Sequence, residues 1–240
     1  MLFRSDEEVY EGVDYTGREI YYCEIEEVTK VGGADITVYR REYDGTFTYI
    51  NSSIQGTDTE LYSTIVDPHP ALDYARYRIV AKDKTTGTVS YYDCPAYPIG
   101  EKAIFVQWAE EWSNFDIYGI DGEPESHAWA GSLIKLPYNI DISNKNTPDV
   151  VMVEYIGRKH PVSYYGTHLG ETSTWNTTIE KDDKETLYAL RRLAAWMGDV
   201  YVREPSGIGY WANVTVTINQ KHLDKTIPIT IEVTRVEGGA

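Results

Sequence analysis

Apolar residues recur at spacings of three and four along one stretch of the chain: Leu187, Leu190, Leu193, Ala194 and Met197. That spacing gathers them on one face of a helix. Almost everywhere else apolar and polar positions alternate, so the chain reads as mainly β with one α-helix. The helix is expected over 183–197. Asp182 with Glu185 three residues on is a capping-box pattern, Asp183 is the second candidate cap, and Gly198 suits a left-handed helix end. Beyond it Val200 and Val202 alternate with Tyr201 and Arg203, Pro205-Ser206-Gly207 supplies a turn, and alternation resumes from Tyr210 to Ile218. The expected order there is helix, strand, turn, strand.

From the start of the chain, 1–18 is acidic and weakly patterned, an arm expected to settle on a neighbouring molecule. Ordered structure is expected from Glu19. IYYCEIEEV is followed by ADITVYRREYDGTFTYI, two alternating runs joined at Asp44-Gly45, a strong hairpin signal. Leu61 to Val66, Tyr74 to Ala81 and TVSYY continue the short strands, which at this spacing predict a β-sandwich over 19–98. The run Cys94-Pro95-Ala96-Tyr97-Pro98-Ile99-Gly100 interrupts every periodicity and marks the expected linker. A second domain is expected over 99–240, antiparallel β around the helix. Its strands are AIFVQW, Gly131 to Ile142, Asp149 to Ile156, His160 to Tyr165 and Thr172 to Glu180, with two more after the helix. The last run, Lys225 to Val236, contains Pro228, which predicts an edge strand or a bulge.

With 240 residues, 42% of them hydrophobic, the chain can bury two ordinary cores. No run of about 20 apolar residues is present to span a bilayer, and MLFRSDEEVY lacks the basic start and apolar stretch of a signal peptide. A soluble protein made in a cytoplasm is expected, with no membrane partner. Cys23 and Cys94 are too few for a disulfide framework; two buried thiols are the simpler reading, with pairing left open. The net charge of −16 argues against a large basic surface that holds nucleic acid through phosphate contacts. The acid excess serves solubility or lines a conduit that DNA traverses without sticking. Asp149, Glu154, Glu171 and Asp199 are the candidates for such a lining. Three glycosylation sequons, at Asn51, Asn176 and Asn213, are too short a pattern to carry weight.

Candidate chemistry is sparse. His160 and His168 flank PVSYYGT without a carboxylate or cysteine at metal-ligand spacing. Asp116, Asp121, Glu123 and Glu125 surround Gly119 and Gly122, out of order for an EF-hand loop, and a solvated acidic loop is the simpler reading. Glu110 and Glu111 are conceivable glycosidase carboxylates, but the facing geometry such catalysis needs cannot be read from spacing. Ser206-Gly207-Ile208-Gly209 is a turn rather than a phosphate-binding loop, and Ser163 and Ser206 lack the nucleophile-elbow pattern. No catalytic, cofactor-binding or metal residue is assigned, and the chain is not expected to be an enzyme. A carbohydrate-binding module is the alternative, with Trp108, Trp112, Trp129 and Tyr118 as stacking platforms.

Two resemblances add to this. ITVYRRE, a turn, then YRIVAKDKTTGTVS resemble the later strands of fibronectin type III-like domains, although Tyr21-Tyr22-Cys23 stands where the family has an early tryptophan. GRKHPVSYYG, the helix with Leu190 and Trp196, DVYVREPSGIGYWANVTVTI and the closing IEVTRVEGG resemble tail and baseplate proteins of phages infecting Gram-positive bacteria. The similarity is to the ring-forming domain of tail-tube, distal-tail and hub proteins, and runs over about 149–239. It implies a virion structural protein near the distal tail. Such a protein would form a homo-oligomeric ring and contact neighbouring tail proteins.

Overall fold

The computed structural model describes residues 6–13, 19–29, 33–54, 62–67, 69–100, 102–109, 131–136, 139–221 and 224–237. Of these, 6–13, 19–29, 51–54, 62–66, 109, 131–132 and 168 are described as backbone only. The protein is mainly β, with one α-helix among the described residues. In chain order the strands begin with β1 (Asp6–Val13), β2 (Glu19–Thr29), β3 (Ala34–Arg41), β4 (Phe47–Ile54) and β5 (Tyr62–Asp67). Next come β6 (Tyr74–Ala75), β7 (Tyr77–Asp83), β8 (Val89–Asp93), β9 (Tyr97–Pro98), β10 (Ile104–Ala109) and β11 (Gly131–Leu136). After them lie β12 (Asp141–Val153), β13 (Val162–Glu180), the helix α1 (Lys184–Ala194), β14 (Val200–Arg203), β15 (Gly209–Ile218) and β16 (Thr226–Arg235).

The chain forms two compact units: Met1–Tyr138 with Tyr201–Gly209, and Asn139–Val200 with Tyr210–Ala240. The linker expected at Cys94–Gly100 falls inside the first. In that unit the hydrogen-bonded orders are β1-β2-β5, β4-β3-β7-β8, β6-β9 and β11-β10-β14. Within the acidic N-terminal stretch β1 pairs with β2 from Asp6↔Glu26 to Val13↔Glu19. Alternation in β3 and β7 sends Ala34, Ile36, Val38, Tyr77, Ile79 and Ala81 into one core, joined by Cys94. The Asp44-Gly45 hairpin forms as expected: Gly45 has φ +86°, and Asp44 Oδ1 accepts from the Thr46 amide at 2.9 Å. Cys23 sits in β2 opposite Val9, its side chain outside the described set.

The second unit carries the order β15-β16-β13-β12 and α1. Asp183, not Asp182, caps the helix, accepting from the Thr186 amide at 3.0 Å. Glu185 in the first turn and Arg191 and Arg192 in the last complement the helix dipole. The helix closes at Ala195 in right-handed geometry, without a left-handed Gly198. Gly198 instead packs against the Trp196 indole, which lies 3.0 Å from where a Cβ would stand and donates to the Asp199 carbonyl at 3.2 Å. Ala194, the last helical residue, is exposed, and because the helix ends there Met197 falls beyond it and is 98% exposed; the buried face is Leu187, Ala189, Leu190 and Leu193.

Pro228 does not mark an edge or a bulge. β16 lies between β15 and β13, and Pro228 pairs in register with Thr178. It is tolerated because β15 pairs with β16 only as far as Ile218↔Ile229. The Pro228 carbonyl still accepts from the Asn219 amide at 3.0 Å, and the absent N–H would have served a strand that has already ended.

Candidate functional site

The four segments expected between Gly131 and Glu180 resolve differently. β11 stops at Leu136; β12 then runs 13 residues and β13 19 residues, so both expected breaks inside them are absorbed into one long hairpin. Its base is part of a sheet, since Thr172 to Glu180 of β13 pairs with β16. From Val162 to Glu171, among the described residues, β13 pairs with β12 alone. At about 3.3 Å per residue, this two-stranded arm continues roughly 30 Å past the last β16 pair.

Midway the register shifts by two. Pro148 faces Leu169 and Val150 faces Tyr165, so Asp149 stands opposite Gly166, Thr167 and His168. A side chain at Gly166 would collide with the Asp149 carboxylate, so a larger residue there obliges that exposed side chain to turn aside. A bulge of this kind bends and twists the arm.

The outer arm is apolar and exposed. Val151, Met152, Tyr155, Ile156, Tyr164, Tyr165 and Leu169 all stand in solvent, Tyr165 at 72%. The tip is tied together by a 2.8 Å hydrogen bond between the Tyr155 and Tyr164 hydroxyls, and by Ser163 Oγ donating to Met152 Sδ at 3.2 Å. Between Val150 and Tyr165 the formal charge is +1, from Glu154 against Arg158 and Lys159, on a chain of −16. A two-stranded ribbon is marginal in water by itself, and an exposed apolar patch of this kind is the signature of a surface that becomes covered.

The residues singled out by pattern fare unevenly. Trp108 is buried and offers no ring to a sugar; Trp112, Trp129 and Tyr118 lie outside the described residues. So do Glu110, Glu111, Asp116, Asp121, Glu123 and Glu125. His160 and His168 are not brought together by a turn, because His160 precedes β13 and His168 lies within it, with extended strand from Val162 between them, roughly 20 Å of chain. Ser206-Gly207 is a turn as expected, Gly207 having φ +86° and its amide donating to the Glu204 carbonyl at 3.0 Å. Among the conduit candidates, Glu171 is engaged by Arg235 at 2.9 Å.

The first unit contains a buried polar cluster that no local pattern announces. Arg40 donates to Asp67 at 2.8 Å, to Glu42 at 2.9 Å and to the Tyr201 hydroxyl at 2.9 Å, while Tyr77 donates to Asp67 at 3.0 Å. The His69 amide donates to Asp67 at 3.0 Å, the His69 and Tyr201 rings lie 4.3 Å apart, and Arg203 donates to the Pro70 carbonyl at 3.2 Å. Desolvation opposes the charge on Arg40, yet Asp67, Tyr201 and Glu42 outweigh it and its pKa is raised. Arg203 is pushed down to about 10 by desolvation, which its attraction to Asp67 and Tyr201 offsets only in part. The cluster fastens β3, the segment after β5 and β14 to one another. It is a structural clasp, since Arg40, Asp67, Tyr77 and Tyr201 bond to one another across it.

Among the described residues no group of three or more His, Cys, Asp or Glu side chains is placed to hold a metal ion, and no helix is long and apolar enough to cross a membrane. No family model and no curated protein matches the chain.

Proposed function

We propose that this protein is a structural subunit of a phage tail, at or near its distal end, that assembles with copies of itself into a ring and also contacts neighbouring tail proteins. The observation that carries the reading is the β12–β13 arm, a ribbon whose outer apolar side chains find no cover within their own unit. Its cationic tip, Arg158 and Lys159, suits the acidic surface of a second copy. Cyclic symmetry repeats one such heterologous contact until it closes. The resemblance of 149–239 to ring-forming tail domains supports the same reading. In a ring with a DNA-passing lumen, Asp149, Glu154 and Asp199 are the acids left to repel phosphates, Glu171 being neutralised by Arg235.

The test is light scattering and negative-stain imaging of the full chain over a wide concentration range, alone and with tail particles. The native chain is expected to form closed rings. Ile156→Asp with Tyr165→Asp, both exposed on the outer arm, is expected to leave circular dichroism and Tm unchanged and to abolish the rings. Isolated subunits under every condition, or rings indifferent to the double substitution, would overturn the reading.

A further inference from the structure

The chain's charge is divided unequally. The first unit holds 26 acids against 12 bases and the second 12 against 10, so −14 of the net −16 lies in the first. β1 and β2 concentrate it, with eight Asp or Glu and no Lys or Arg in their 19 residues. Their register sets Asp6 opposite Glu26 and, two residues along on the same face, Glu8 opposite Glu24. Like charges directly opposite one another destabilise a pair of strands. Glu24 also stands opposite Val66 of β5, whereas the neighbouring pair, Cys23 and Asp67, belongs to the other face, from which Asp67 enters the clasp with Arg40. The four carboxylates therefore lie on the face of β1-β2 turned away from the clasp. That face continues through Tyr10 opposite Tyr22 to Gly12 opposite Ile20. It is acidic at one end and apolar at the other, over roughly 20 Å.

We propose that this face of β1-β2, on a second copy of the chain, receives the tip of the β12–β13 arm. The inference rests on the ring reading above and names the surface that the arm docks on. The loop joining β12 to β13 turns at Tyr155 to Arg158, where the Arg158 amide donates to the Tyr155 carbonyl at 3.1 Å and Gly157 has φ +85°. Arg158 and Lys159 are exposed there, and among the described residues neither is held in an ion pair. Behind these cations the arm turns apolar, through Tyr164 and Tyr165 to Leu169. Arm and face thus match in order as well as in sign: unpaired cations meet facing carboxylates, and exposed apolar side chains meet Tyr10, Tyr22 and Ile20. Solubility is served by charges of both signs interspersed over a surface, whereas these eight acids stand together with no base among them. A cation arriving from outside the ribbon relieves the repulsion that its own sequence leaves in place. Because the donor lies in one unit and the acceptor in the other, the contact is heterologous, the kind that closes a ring.

The experiment is a charge swap in the full chain, read by sedimentation velocity and negative-stain imaging. Arg158→Glu with Lys159→Glu reverses the tip, and Glu8→Lys with Glu24→Lys reverses one facing pair. Each variant alone is expected to self-associate about tenfold or more weakly than the native chain. Mixing the two, or combining all four substitutions in one chain, is expected to restore association and rings, because each reversed tip then meets a reversed face. Recovery in the mixture also shows that both variants are folded. Glu8→Gln with Glu24→Gln is expected to weaken association while raising Tm, since the facing repulsion goes with the charges. Single reversals that assemble like the native chain, or a mixture and a fourfold variant no better than the single reversals, would overturn the proposal. Native rings indifferent to charge reversal count against this receiving surface alone; a native chain that never forms rings counts against the ring reading as well.

Discussion

His69 holds its imidazole where a positive charge is poorly tolerated. Desolvation first, then Arg203 and Arg40, lowers its pKa well below the ordinary value, while Tyr201 stacks on the ring. The ring therefore stays neutral in the folded state at pH values where the unfolded chain, with a pKa of about 6.5, takes up a proton. More protons bound by the unfolded state means that stability falls as pH falls below about 6.5. Thermal unfolding at steps from pH 7.5 to 5 is expected to show this loss, with a slope from this residue of at most about 1.4 kcal/mol per pH unit. His69→Gln is expected to flatten that part of the profile; an unchanged slope would show that the imidazole is already protonated in the fold. The clasp around His69 was illegible in the sequence because its members are remote: Arg40 and Tyr201 are 161 positions apart. Each reads alone as an ordinary strand or turn residue.

At the scale of elements, what was legible is what local chemistry decides. Asp44-Gly45 requires a positive φ and gives a hairpin; Leu187, Leu190 and Leu193 require a common face and give a helix. Leu190 is fully buried, so Leu190→Ala is expected to cost about 2–5 kcal/mol in denaturant unfolding, and a change within error would show a face that is not packed. Met197 was misplaced because periodicity runs on after hydrogen bonding stops. β13 was read as two strands, His160 to Tyr165 and Thr172 to Glu180; Gly166 and Gly170 lie in the gap between them, and in the ribbon they admit a bulge and a close backbone approach. Pro228 was misread for the opposite reason: its position at the end of the β15 pairing, which alone makes it harmless, is a property of the partner strand. The facing carboxylates of β1 and β2 likewise exist only once the register of the two strands is known.

For the molecule as a whole, the question is how a chain with an open, partly apolar strand edge avoids associating without limit. Among the described residues β12 is the outer strand of its sheet, and an open edge of this kind would ordinarily template the next strand indefinitely. Pro148 and the register shift beside it divide that edge into 141–147 and 150–153, and Lys145 places a charge on the longer piece. Neither piece offers a long flat run of backbone donors. Growth by strand stacking is thus discouraged while side-chain docking of the arm remains open, and the preference falls to finite particles over cross-β fibres. Pro148→Thr with Lys145→Thr removes the imino acid and the charge from that edge, leaving the register shift as its one interruption. After prolonged incubation this variant is expected to develop thioflavin fluorescence and elongated fibrils that the native chain does not form. A fibril-free variant would place the safeguard elsewhere. One imino acid in the middle of an outer strand would then separate an assembly with a fixed number of members from a material that grows at both ends.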